Sequence, residues 1–173
     1  MFVRLTAAIA AICLLSSASY ATGAAPTDPQ IAHIAYTAGV IDIAAAKQAI
    51  KISKNKEVLD FANDMLRDHE AVNDQALALV KKLKVTPEDN DTSRQLTKAA
   101  SHEREKLGKL KGSAFDKAYV ENEVAYHKQI NGALEDFLIP SAQDTELKDL
   151  LETGLKLFQG HEQHAENVAS MLK

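Results

Sequence analysis

From Pro29 onward, hydrophobic residues return every three or four positions, the spacing that gathers them on one face of an α-helix. This predicts a first long helix over about Pro29 to Ile52, with Ile31, Ile34, Ala38, Ile41, Ala45, Gln48 and Ile52 on one stripe. Ser53 or Asn55 is placed to cap a second, whose stripe is Val58, Ala62, Met65, His69, Val72, Ala76, Leu79 and Leu83. The stretch VTPEDNDTS, with Pro87, breaks the pattern, and Thr92 with Gln95 reads as a capping box. A highly charged helical segment follows, from about Ser93 to Leu110, and Gly112 ends it. Ser113 with Asp116 can cap a third long helix to about Ile139, built on Val120, Val124, His127, Ile130, Leu134 and Phe137 and stopped by Pro140. A fourth starts near Asp144 and carries Leu147, Leu151, Gly154, Phe158, His161, Ala165, Val168 and Leu172. No sustained alternation and no Asn-Gly turn predicts a strand.

The connections set the expected topology. Short loops join the first helix to the second and the third to the fourth, so each pair is an antiparallel hairpin. About 28 residues separate the second from the third, most of them in the charged segment. A helix of ~17 residues covers ~25 Å, enough to carry the chain back along a bundle and make those two helices parallel. The predicted fold is therefore all-α: a four-helix bundle of ferritin-like connectivity with a helical crossover, over residues 29–173.

Residues ahead of it read differently. MFVR is followed by the apolar TAAIAAICLL and then by small residues, with Ser19-Tyr20-Ala21 presenting a cleavage pattern. Residues 1–21 are expected to be a secretory signal peptide and 22–28 a flexible N-terminus. Ile12 precedes Cys13 where a lipoprotein signal needs a small residue, so no lipid anchor is expected. Cleavage would remove the chain's one cysteine, and with it disulfide or thiolate chemistry. The full chain of 173 residues has 20 basic and 24 acidic residues, a net charge of −4. Loss of Arg4 would leave 19 against 24, or −5. Such mild acidity argues against nucleic acid or an anionic membrane surface as partner. No second apolar stretch has the length of a membrane span. A periplasmic or secreted protein is expected.

His69, His127 and His161 each fall on a predicted core stripe, on three different helices. Measured from the end where the first helix turns into the second, they stand at roughly 22, 20 and 17 Å. Asp42, on the first helix, stands at roughly 15 Å, next to Ile41 of the stripe. Glu123 precedes His127 by one turn and can be a ligand or an orienting partner. A lone histidine on an apolar face is usually a buried residue with an ordinary hydrogen-bond partner. Three at one height are harder to satisfy, and a shared metal would satisfy them together. A three-histidine metal site and a histidine–carboxylate hydrogen-bond network both remain open on this reading. Imidazoles with a carboxylate suit zinc, copper or iron(II).

The remaining candidates carry less. His33 and His102 are expected on the solvated surface, and His164 at the rim of the site. Glu162 and Glu166 read as a solvated face. GHEQHAEN, residues 160–167, begins like the H-E-x-x-H zinc helix, but the position required to be histidine is Ala165. A di-iron carboxylate site needs Glu-x-x-His twice, and no glutamate here has a histidine three residues later. No strand–turn–helix elbow presents a serine, and there is no glycine-rich phosphate loop. Gly39, Gly132, Gly154 and Gly160 are expected to permit close helix packing, and Tyr36, Tyr119 and Tyr126 to lie at the core edge. Catalysis is therefore not expected, with a metal-dependent hydrolase or oxidase ranking behind two binding roles. One is metal binding in the envelope; the other is a metal-free helical module that binds a protein partner.

The stretches FANDMLRDHEAVN, FDKAYVENEVAYHKQI and LKLFQGHEQHAENVASML resemble the bacterial domain-of-unknown-function family numbered 4142. The resemblance extends over about residues 29–172. It implies a secreted protein of ferritin-like fold, of a kind often labelled an outer-membrane protein, with recurring histidines at His69, His127 and His161. Where the family commonly carries a glutamate on its first helix, this chain has the shorter Asp42. The family has no established general activity, so the resemblance implies fold and location more than function.

Overall fold

The computed structural model describes residues 25–172; the expected signal peptide, with Cys13 and its cleavage point, lies outside them. The described residues form helices α1 (Asp28–Ile52), α2 (Lys56–Leu83), α3 (Asp91–Leu107), α4 (Gly112–Ala133) and α5 (Thr145–Met171), with no strand among them. None of these helices is long and apolar enough to cross a membrane.

The boundaries follow local chemistry. Asn55 caps α2 by accepting from the Val58 N–H at 3.2 Å, while the Ser53 hydroxyl accepts from the Asn55 N–H. The expected Thr92–Gln95 capping box does not form. Asn90 caps α3 instead, accepting from the Ser93 N–H at 3.0 Å, and the Ser93 hydroxyl accepts from the Asn90 N–H. Ser113 and Asp116 do not cap α4, which begins one residue earlier at Gly112, a glycine at φ +55°. Asp144 caps α5 through the Leu147 N–H. The Asp28 carboxylate accepts from the Gln143 and Asp144 N–H groups, tying the start of α5 to the start of α1.

Pro140 does not end its helix as expected. From Leu134 to Leu138 the backbone widens into a π-helical turn, in which the Ile139 N–H reaches the Leu134 carbonyl. One more helical turn, Ile139–Ser141, includes the proline. The wider turn upstream makes room for a pyrrolidine ring that a regular α-helix would clash with.

Two hydrophobic clusters show how the helices run. One joins Ala46 and Ala49 late in α1, Val58 and Phe61 early in α2, Phe115 and Tyr119 early in α4, and Val168 late in α5. The other joins Ile31 and Ile34 early in α1, Leu79 and Val80 late in α2, Leu134 after α4, and Leu147 and Leu151 early in α5. Hence α2 and α4 are parallel, and α1 and α5 run against them. α3 has Leu96 at the second cluster and Leu107 at the first, so it carries the chain back alongside α1. The molecule is a helical bundle of two antiparallel hairpins, α1–α2 and α4–α5.

Candidate metal centre

Polar side chains separate the two apolar halves. Asp42, His69, Asn73, Glu123, His127, Asn131 and His161 are all buried, and His69, His127 and Glu123 are nearly inaccessible. Ile31, Ile34, Ala38 and Ala45 of the predicted α1 stripe are buried, but at Asp42 and again at Ala49 the inward position lies one residue past the predicted Ile41 and Gln48. Asp42 faces inward and Ile41 is only partly buried, because Ala45, Ala46 and Ala49 form the core contact below it. α4 likewise presents Glu123 to the interior and leaves Val124 partly buried.

The three stripe histidines meet. Their ring centroids are 5.8 Å apart for His69–His127, 5.2 Å for His69–His161 and 5.6 Å for His127–His161. One nitrogen from each lies within 4.8 Å of the other two. Hydrogen bonding fixes the tautomer of two rings. His127 Nδ1 is 3.0 Å from the Glu123 backbone carbonyl, which can only accept, so Nδ1 carries the proton and Nε2 keeps its lone pair. His161 Nε2 is 3.1 Å from Asp68 Oδ2, which leaves the lone pair on Nδ1. Both lone-pair nitrogens, His127 Nε2 and His161 Nδ1, are buried without a hydrogen-bond partner among the described residues. His69 has no hydrogen-bond partner on either nitrogen among them; Asp42 Oδ2 stands 3.5 Å from its Nε2. Its ring stacks on Phe158, with centroids 4.8 Å apart and planes 13° from parallel.

Burial keeps these imidazoles neutral. It pushes the pKa of His69 down to about 2, helped by His127 and His161, and that of His127 down to about 4 against the help of the Glu123 carbonyl. His161 is also lowered by burial, and the Asp68 hydrogen bond opposes this in part. Burial works to raise the pKa of Asp68, but hydrogen bonds from Arg67 and His161 outweigh it and hold the carboxylate ionised. Neutral rings with uncommitted lone pairs are the form in which histidine ligates metal.

Asp42 and Glu123 form a second feature beside the histidines. No amide, ring N–H or hydroxyl donor among the described residues reaches either Glu123 oxygen; the one group it faces closely is the Asp42 carboxyl. Burial and mutual repulsion raise Asp42 well above the usual carboxylate range, and burial raises Glu123 to about 8, opposed by its hydrogen bond with Asp42. Two facing carboxyls share a hydrogen bond only when one is protonated. With His127 they also form a group of ligand-type atoms within 4.8 Å. The His127 nitrogen 3.7 Å from Glu123 Oε2 is Nδ1, however, whose proton is already committed to the backbone. Tyr119, expected at the core edge, lies in the core, and its hydroxyl has no partner among the described residues.

The other candidates stand apart. His164 packs edge-on against Phe61, 5.1 Å between centroids, has Nδ1 4.0 Å from Asp64, and is not one of the three converging rings. His102 is exposed, as expected. His33 is half-buried, its Nδ1 without a partner among the described residues, in a cleft lined by α3, because the crossover lies against α1 there. Glu162 is not simply solvated: its Oε2 accepts from Asn131 Nδ2 at 2.8 Å, while Glu166 pairs with Lys128 at 2.6 Å. Two residues of the centre, Asp68 and Phe158, are not singled out by the sequence pattern. Phe158 lies on the core stripe, where an apolar residue needs no special role. Asp68 sits beside the stripe, although an acid next to a buried histidine, on a helix facing another histidine, is a usable signal.

No curated protein and no solved structure is similar enough to match the chain. The family described as Domain of unknown function (DUF4142) matches residues 14–168, nearly the whole sequence, and therefore the chain belongs to that family.

Proposed function

We propose that this is an exported, non-catalytic bundle of ferritin-like connectivity that binds one transition-metal ion through His69, His127 and His161. The observation that carries the reading is the distribution of protons. His127 and His161 each give their N–H to an oxygen, and the other nitrogen of each is buried with no partner among the described residues. Metal-ligating histidines are held in this way, their second nitrogen donating to a carbonyl or carboxylate. A tetrahedral zinc ion with bonds of about 2.0–2.1 Å needs nitrogens about 3.4 Å apart. The three nitrogens, now within 4.8 Å of one another, would have to close to that spacing on binding. Asp42 and Glu123 would act as neighbours, a fourth ligand or a proton reservoir. Zinc, copper and iron(II) all suit the donor set. Export would rest on the leader at residues 1–21, and the role on envelope metal handling or stress tolerance.

A metal-free network serving a helical module that binds a protein partner is the second reading, favoured by the bonds already made by Asp68 and the Glu123 carbonyl. Dialysis of residues 22–173 against zinc or copper, followed by elemental analysis, separates them. One equivalent retained by the wild type and lost in His127→Ala supports the metal centre. Less than about a tenth of an equivalent in the wild type supports the network.

A further inference from the structure

The apolar half containing α1's start and α5's start is not filled. A cavity of ≈ 670 Å³ lies there, walled by all five helices. It exists because small residues stand where larger ones would close the core: Ala35, Ala38, Ala76, Ala99, Ala133 and Gly154. The other half is packed with Phe61, Met65, Phe115 and Tyr119, all nearly inaccessible. Native interiors seldom leave spaces much above the ~30 Å³ share of one water molecule, whereas small-molecule pockets span about 300–1,000 Å³.

The lining selects the ligand. Its inner part is aliphatic, with Ile34, Leu134 and Leu151 among the walls, and it ends at Phe158, whose ring separates it from His69. It opens beside α3, where Asp91, Gln95 and Ala99 are exposed. Among the lining residues the single ionisable side chain is Asp91, already paired with Arg94 at 2.6 Å. A charged ligand would therefore enter without a counter-ion, while Thr92 and Gln95 at the rim can hydrogen-bond a neutral head. Along α1 the walls run from Gln30 to Gly39, and along α5 from Leu147 to Phe158. These stretches are roughly 14 and 17 Å long.

We propose that this cavity is a binding site for an uncharged amphiphile with a single unbranched apolar tail of about 15 Å, its head at the α3 rim and its tail toward Phe158. The site shares the Phe158 ring with the histidine cluster but includes none of the proposed metal ligands.

The test uses residues 22–173 with the uncharged fluorophore N-phenyl-1-naphthylamine as probe. The expected result is saturable binding of one probe per chain, displaced by 1-monolauroylglycerol at least tenfold more effectively than by laurate. Ala76→Phe should fill the cavity and weaken the probe at least tenfold, with helical content retained. Gln95→Lys, a surface change that leaves the core alone, should improve laurate several-fold by supplying a cation at the rim. Probe affinity should be the same with and without the chelator EDTA, which separates this site from the metal reading. No saturable signal with the wild type, laurate competing as well as the neutral lipid, or full probe affinity in a folded Ala76→Phe protein would each overturn the proposal.

Discussion

Asp68 Oδ2 and His161 Nε2 stand 3.1 Å apart, on α2 and α5, and this contact decides which nitrogen of His161 is free. Because Asp68 is held ionised by Arg67 and by the ring itself, it accepts the Nε2 proton and leaves Nδ1 with its lone pair facing inward. Removing such a partner typically costs 10–100-fold in metal affinity. Asp68→Ala is therefore expected to weaken zinc binding by about that factor, measured by competition with a chromophoric chelator. Its unfolding free energy without metal should change by only about 1 kcal/mol, since Asp68 is partly solvated.

Acid and base should destabilise the metal-free protein for different reasons. His69, His127 and His161 have lowered pKa values in the fold, so below about pH 6.5 the unfolded chain binds more protons and stability falls as pH falls. Asp42 and Glu123 have raised values, so from about pH 4.5 up to about 8 the folded chain holds more protons and their contribution falls as pH rises. Below about 6.5 three histidines oppose two carboxyls; above it the carboxyls act alone. Urea unfolding across pH 4–9 should accordingly show a maximum near about pH 6–7. Glu123→Gln should flatten the alkaline limb and, by removing one of the two carboxyls that oppose the histidines, steepen the acid limb.

Close approach of α1 and α2 depends on Gly39. A Cβ there would come 2.3 Å from Asn73 Oδ1 and 2.9 Å from its Cγ, and Asn73 is buried. Gly39→Ala is expected to lose about 1–2 kcal/mol in chemical denaturation, although alanine is the better helix former. At Gly132 nothing lies within 4 Å of the place a methyl group would take, so Gly132→Ala should gain about 0.5–1 kcal/mol.

Much of this architecture is legible in the chain because amphipathic periodicity and loop length are local properties. The stripes of α2 and α5 place Met65, His69, Leu151 and His161 on buried faces, and the long charged connection implies the parallel α2 and α4. α1 is harder. It is so rich in alanine that two adjacent faces are equally apolar, and only packing decides that Asp42 rather than Ile41 turns inward. The π-helical turn before Pro140 is not legible, since hydrophobic spacing does not distinguish a turn widened by one residue. Of the candidate centre, the convergence of the three histidines is readable from their heights. The Asp68 contact, the stacked Phe158 and the facing Asp42–Glu123 carboxyls are not, because they depend on rotation between helices rather than on position along one.

If the uncommitted imidazole nitrogens hold a metal, thermal unfolding with and without the ion reports it. A ligand at a hundredfold excess over its dissociation constant stabilises the fold by about 2.7 kcal/mol. In a domain of this size each kcal/mol corresponds to roughly 2–4 °C. Saturating zinc or copper should raise the Tm of the wild type by about 5–10 °C and leave His127→Ala unmoved. An unchanged wild-type Tm, or an equal rise in both proteins, would mean that the three histidines hold no metal.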